Sequence, residues 1–151
     1  CLPRKPSCMI CPVSDLCAGR RQGAPESYPV KTRKLRRTSQ SLWMLLARDA
    51  QGRVWLEKRP SRGIWAGLYC LPVFESREAL MQTLPAGDRA DARDEAGFLH
   101  VLTHKDLHLH PVAIERGIGP LAEAGGWFAV ADWTALGLPA PVRKLLLNRG
   151  D

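Results

Sequence analysis

With 151 residues the chain has room for one ordinary domain and an appendage. Its 45% apolar content suffices for a core, yet no apolar run approaches the roughly 18 residues of a membrane helix, which argues against a membrane protein. The net charge of +7 lies entirely in residues 1–40, where nine Lys and Arg face only Asp15 and Glu26; residues 41–151 hold thirteen of each sign. So asymmetric a basic arm suggests an anionic partner, with nucleic acid first. The opening stretch is polar and Pro-rich and carries Arg4 and Lys5, so it does not read as a secretory signal. An intracellular, reducing compartment is the expectation.

In chain order, residues 1–18 form a compact unit rich in Cys and Pro. Residues 19–40, GRRQGAPESYPVKTRKLRRTSQ, lack hydrophobic periodicity, contain Gly and Pro, and end in a basic run; they read as a flexible basic linker. A folded domain starts near Ser41. SLWMLLARD has strand length, DAQGR is a turn and VWLEKRP is a second strand, predicting a β-hairpin with its loop centred on Gln51 and Gly52. SRGIWAG is a Gly-rich loop. LYCLPVFE is a third strand, in which Pro72 predicts an edge or a bulge. Cys70, alone in that apolar stretch, reads as a packing residue.

SREALMQTL predicts a helix with Ser76 as its N-cap. PAGDRADARDEAG is polar and poorly specified. FLHVLTHKD and LHLHPVAIER predict two strands joined near Lys105 and Asp106, and GWFAVAD predicts another. ADWTALGL begins a helical turn capped by Asp132, and PAPVRKLLLNRG predicts a helix from Pro141 to Gly150. Trp43, Trp55, Trp127 and Trp133 fall within these patterns and are expected in the core. The pattern is that of an α+β domain, with a mixed, mostly antiparallel sheet flanked by helices.

Four of the five cysteines fall in the first seventeen residues, spaced Cys-x6-Cys-x2-Cys-x5-Cys. In a reducing compartment such a cluster points to metal ligation rather than disulfides. Cys1, Cys8, Cys11 and Cys17 provide four thiolates on short, Pro-containing spacers, as an iron–sulfur cluster needs. A structural zinc site usually takes two CxxC pairs, and here only Cys8 and Cys11 form one. The spacing leans toward iron–sulfur and leaves zinc open. His100, His108 and His110 alternate with apolar residues as strand positions do; a zinc site from His104, His108 and His110 is the less favoured reading.

The spacing of the cysteines resembles the cluster loop of the helix-hairpin-helix DNA glycosylases, the endonuclease III and MutY group. In that group the four cysteines ligate a 4Fe–4S cluster, and the loop presents basic residues to the DNA backbone. The resemblance makes Cys1, Cys8, Cys11 and Cys17 its ligands and Arg4, Lys5, Arg20 and Arg21 phosphate contacts. Endonuclease III stops shortly after its cluster, whereas this chain continues into a second domain, as MutY adenine DNA glycosylases do. EKRPSRGIWAGLYCLPVFES is similar to that family's RP-x-x-G-x-W-x-G-L-(Y/W)-x-x-P stretch, HVLTHKDLHLH to the region of its Phe-Ser-His segment, and LPAPVRKLL to its terminal helix.

The resemblance implies a Nudix-like second domain over residues 41–151 that recognises 8-oxoguanine opposite adenine in duplex DNA. It makes Leu102, Thr103 and His104 the lesion reader, with the Thr103 hydroxyl able to donate to or accept from the altered base edge and Leu102 an aliphatic wedge. The plainer alternative is that these residues merely end a strand. The connector's Lys31, Arg33, Lys34, Arg36 and Arg37 would bind the backbone through counterion release. Gly63 and Trp65 would line the DNA surface, although Trp65 reads first as a core or loop-anchoring indole. The family's catalytic residues lie upstream, so the chain is expected to be a fragment that lacks the catalytic domain, binds without cleaving, and acts as a monomer in the bacterial cytoplasm. Its 4Fe–4S cluster can fail to assemble with Cys1 at the terminus, which would leave residues 1–40 flexible.

Two alternatives remain from the residues themselves. An active Nudix nucleotide pyrophosphohydrolase needs a REUxEExGU helix whose glutamates bind a divalent metal; SREALMQTL holds only Glu78. A zinc-binding interaction module would use the cysteines and the basic arm against a protein partner.

Overall fold

Two hydrophobic runs far apart in the chain, within residues 38–47 and 105–114, set the architecture. The computed structural model describes residues 2, 4–28, 36–115 and 125–148; Cys1, Lys31, Arg33, Lys34 and Gly150 lie outside them. The chain divides into two compact units, Cys1–Arg36 and Arg37–Asp151.

In the first unit, 3-10 turns at Cys8–Ile10, Ser14–Leu16 and Pro25–Ser27 surround a single helical turn, α1 (Ala18–Arg21). Gly19 is buried because Tyr28 lies over it: a Cβ at Gly19 would meet the Tyr28 ring at 3.2 Å. Residues 19–28 belong to the cysteine unit, and the second unit begins at Arg37, ahead of Ser41.

The second unit holds two sheets. The strands are β1 (Thr38–Ala47), β2 (Val54–Lys58), β3 (Tyr69–Cys70), β4 (Val73–Phe74), β5 (Arg93–Asp94), β6 (Phe98–Val101), β7 (Lys105–Ile114) and β8 (Gly125–Phe128). One sheet has the order β4-β1-β7-β5, with β6 also paired to β7; the other has the order β3-β2-β8. The helices are α2 (Arg77–Thr83), α3 (Val130–Thr134) and α4 (Ala140–Leu147).

The longest ladder, β1 with β7, is parallel and runs from Thr38 opposite Lys105 to Ala47 opposite Ile114; the other pairings are antiparallel. Both of its faces are covered. Leu42, Met44, Leu46, Leu107 and Leu109 join Trp133, Val142 and Leu146 of α3 and α4 in one core cluster. Leu45, Ala47, Val112 and Ile114 join Leu80 and Leu84 of α2 and its C-cap in another. A strand buried on both faces reads as a continuous apolar run, which is why LWMLLA lacks alternation.

The predicted hairpin forms only at its turn. Asp49 accepts from the backbone N–H of Gln51 at 3.0 Å and of Arg53 at 2.8 Å, and Gly52 takes φ +73°. Beyond a lone bridge between Arg48 and Val54, the strands part into different sheets. LYCLPVFE likewise divides at Leu71 and Pro72: β3 pairs with β2 and β4 with β1, each at a sheet edge. Pro72 has no N–H for a ladder, but its carbonyl accepts from the Leu45 N–H at 3.0 Å as the chain changes sheets. The α2 cap is as expected, with Ser76 Oγ accepting from the Ala79 N–H at 3.1 Å. Asp132 is the third residue of α3 and reaches back to the Ala129 N–H at 3.3 Å. Among the described residues no helix is long and apolar enough to cross a membrane.

Candidate functional site

The first unit is built around its cysteines. Each stands at a turn boundary: the Cys11 N–H donates to Cys8 O at 3.3 Å, Ser14 N–H to Cys11 O at 3.0 Å, and Cys17 N–H to Ser14 O at 3.3 Å. These successive turns bring Cys8, Cys11 and Cys17 to one cavity of about 360 Å³, walled by Pro6, Pro12 and Tyr28. All three thiols are half-buried and free of disulfides. Among the described residues no three His, Cys, Asp or Glu side chains are arranged to hold a metal ion. A single ion needs its ligands within bonding distance of one point, whereas a four-iron cube spreads its thiolates over its corners. The cavity also far exceeds the roughly 30 Å³ share of one water. Reduced thiols around a roomy, mostly apolar cavity fit an iron–sulfur cluster as a donor set.

Of the basic residues assigned to DNA in this unit, Arg4, Lys5, Arg20 and Arg21 are all exposed. Arg20 lines the cavity and lies 3.7 Å from Asp15, a surface pair of little energetic weight. The Lys5 backbone N–H donates to Glu26 Oε1 at 3.0 Å.

In the second unit the junction expected at Lys105 and Asp106 falls earlier. Both residues are already in β7, with Asp106 opposite Val101, and the turn consists of Leu102, Thr103 and His104. The family's reader segment is thus the apex of the β6–β7 hairpin. Three bonds fix its backbone: Leu102 N–H to Lys105 O at 2.8 Å, Thr38 N–H to His104 O at 3.1 Å, and the Arg37 guanidinium to Leu102 O at 3.1 Å. Arg37 also donates to and pairs with Asp106. That hydrogen bond holds the Asp106 carboxyl below the usual carboxylate range, against a smaller opposing effect of desolvation. The Thr103 and His104 side chains are exposed; Leu102 is half-buried against the core and so faces inward. Sequence reasoning gave Arg37 to the DNA backbone. Arg36 and Arg37 are both exposed, and the charge of Arg37 is paired with Asp106 within the domain.

The Gly-rich loop lies beside this hairpin. Gly63, Trp65 and Gly67 take φ of +94°, +58° and +72°. The left-handed region costs a tryptophan about 1–2 kcal/mol, so neighbouring contacts must hold it there. Gly67 N–H donates to Pro60 O at 3.0 Å and Leu68 N–H to Trp65 O at 3.2 Å. The half-buried indole packs against the core, with its ring 6.2 Å from that of His100 in β6. Trp65 also lines a cavity of about 190 Å³ with Gln40, Arg59, Phe74 and Glu75. Gly63 is exposed. Trp55 and Trp133 are buried; Trp43 and Trp127 are half-buried against the second core cluster.

Aligned on Arg77 and Glu78, the REUxEExGU pattern puts Met81 and Gln82 where its paired glutamates belong. Met81 packs against the core. Arg77 is engaged in a two-pronged pair with Asp94 at 2.9–3.1 Å. Helix α2 therefore carries Glu78 alone of the carboxylates in that pattern.

Comparisons with known proteins agree with this division. Residues 43–148 match the NUDIX domain model, and residues 1–17 match the iron–sulfur binding domain of endonuclease III. Adenine DNA glycosylase of Buchnera aphidicola subsp. Schizaphis graminum is 25% identical over 97% of this chain and 44% of its own length. That of subsp. Acyrthosiphon pisum is 27% identical over 98% of the chain and 44% of its own. The chain thus spans less than half the length of these relatives. In fold it is similar to the C-terminal domain of mouse MUTYH, solved in complex with human PCNA (TM-score 0.55, 16% identity, 71% of this chain and 84% of that one). It is also similar to the MutT protein of Methanosarcina mazei Go1 (TM-score 0.57, 18% identity, 76% and 95%). With 106 residues under one match, the chain belongs to the NUDIX domain family, in a form that resembles adenine DNA glycosylases over nearly its whole length.

Proposed function

We propose that this chain supplies the C-terminal portion of an adenine DNA glycosylase of base excision repair, and that it reads 8-oxoguanine opposite adenine in duplex DNA. The observation that carries the reading is the order of the two matches in one chain, an endonuclease III iron–sulfur domain followed by a NUDIX domain. A NUDIX domain by itself would favour nucleotide hydrolysis, but Met81 and Gln82 replace the carboxylates that reaction needs.

In this reading Thr103 is the lesion contact. Relative to guanine, 8-oxoguanine carries a donor at N7 and an oxygen at C8. An exposed hydroxyl at a hairpin apex can accept from the first or donate to the second. Cys8, Cys11 and Cys17, with Cys1 as the fourth ligand, would hold a 4Fe–4S cluster. When bound, the cluster would supply irons to which the cysteine thiolates bond, cross-linking the loop. The exposed Arg4, Lys5, Arg20, Arg21 and Arg36, with Lys31, Arg33 and Lys34, bind phosphates. The logarithm of the binding constant then falls linearly with log salt, with a slope of about 0.9 per phosphate neutralised. Adenine excision belongs to a catalytic domain preceding this chain in the full enzyme, so the chain binds as a monomer and does not cleave. Its setting is the bacterial cytoplasm, on the nucleoid.

The experiment is equilibrium binding at fixed salt to duplexes carrying 8-oxoguanine or guanine opposite adenine, with the chain and its Thr103→Ala variant. A lesion preference that Thr103→Ala removes supports the reading. Equal binding to both duplexes by the unaltered chain overturns it.

A further inference from the structure

We infer that Arg37 is a positioning residue that sets the 102–104 turn for lesion reading, rather than a phosphate contact; the inference rests on the reader role proposed above for that turn. The parallel ladder begins with Thr38 opposite Lys105, so the chain entering β1 lies alongside the chain leaving the turn. Arg37 occupies that point of entry. Its guanidinium bridges Leu102 O and the Asp106 carboxylate, one acceptor within the turn and one beyond it, while the next N–H, of Thr38, holds His104 O. Two of the three bonds that fix the turn's backbone are made from residues 37 and 38, and the third, Leu102 N–H to Lys105 O, closes the hairpin itself, so the apex is held from outside as well as from within. Both bonds leave one nitrogen, Nη2, at the far end of the guanidinium, and the shorter stem of a lysine does not carry its ammonium to the same point. With Asp106 satisfying its charge, Arg37 has little left for a phosphate. What the latch leaves free is the exposed Thr103 side chain.

The two roles predict opposite outcomes. As a phosphate contact, Arg37 would survive replacement by Lys, and Asp106→Asn would tighten binding to every duplex by removing a negative charge. As a latch, Arg37→Lys and Asp106→Asn would both loosen the turn. The test uses the 151-residue chain, with amide hydrogen exchange at Leu102 and Thr38 and binding to the two duplexes across salt. Exchange at Leu102 is expected to quicken about three- to fivefold in both variants, as the loss of a half-exposed pair allows. Lesion preference should fall by a similar factor, with the salt slope unchanged. Unaltered exchange in both variants overturns the latch whatever the duplexes show. Quickened exchange with an intact lesion preference overturns its role in reading. If the unaltered chain shows no lesion preference, the reader role fails and the exchange data alone decide the latch.

Discussion

The Trp55 indole lies directly against the backbone of Gly125, so that a Cβ at residue 125 would stand 2.5 Å from the six-membered ring. Gly125 opens β8, opposite Glu57 of β2, and the Trp55 Nε1–H donates to Glu57 Oε1 at 3.0 Å. The indole is therefore held at its polar edge and cannot swing away without leaving a buried donor unpaired. Gly125→Ala should destabilise the domain by about 1–3 kcal/mol, the ordinary cost of overpacking a filled site. Chemical denaturation measures this directly. A neutral result would mean that the indole moves freely.

Leu45 and Leu46 are adjacent, fully buried, and belong to different core clusters. A strand with one wet face would bury only one of them. Each single substitution, Leu45→Ala and Leu46→Ala, should therefore cost about 2–5 kcal/mol. If either falls within about 0.5 kcal/mol of the unaltered chain, as exposed sites do, the two-faced burial of β1 is wrong. Leu99→Ala, at a side chain 54% exposed on β6, is the matched control.

What could be read from the sequence was local. The α2 cap needs only Ser76 and the N–H three residues on, and the turn at residues 49–53 needs only Asp49 and Gly52. The parting of β1 from β2 was hidden, because β1 takes its register from β7, far along the chain. The switch of sheet at Pro72 was visible only as a missing donor. The strand pattern put the junction near Lys105 and Asp106, whereas the turn falls on residues 102–104, because Lys105 and Asp106 already pair within β7. The pairing of Arg37 with Asp106 was hidden because a basic run looks alike whether its charges are free or paired, and nothing near Arg37 in sequence marks Asp106 as its partner. The half-burial of Leu102 was hidden too, because the core cluster it packs against is drawn from residues spread along the chain.

Trp65 sets two magnitudes against each other. Its left-handed backbone costs about 1–2 kcal/mol for any residue with a Cβ, and glycine does not bear that cost. Its half-buried indole contributes packing that either truncation removes. Trp65→Ala keeps the strain and loses the packing, whereas Trp65→Gly loses both. Trp65→Gly should thus be more stable than Trp65→Ala by about 1 kcal/mol, inverting the usual order of the two residues. Parallel denaturant titrations decide it, and the ordinary order would show that φ at this position relaxes.

Cys70 differs from the other described cysteines in a way that reagents can read. It is fully buried, and burial pushes its thiol up to about 12, with Arg59 and the Leu71 N–H pulling weakly the other way. Because only the thiolate alkylates, native Cys70 should stay unlabelled by iodoacetamide at pH 8 while half-buried Cys8, Cys11 and Cys17 react. Iron reconstitution should then protect those three and leave Cys70 unchanged. The raised value also has a sign in stability. The folded state favours the protonated thiol, so this contribution is fully present below the ordinary thiol range and is lost as pH rises from there toward about 12. A Cys70→Ser chain should accordingly show a shallower loss of stability between pH 8 and pH 10 than the unaltered one. Native labelling of Cys70 ahead of Cys8, Cys11 and Cys17 would contradict both its burial and the cavity assigned to the other three.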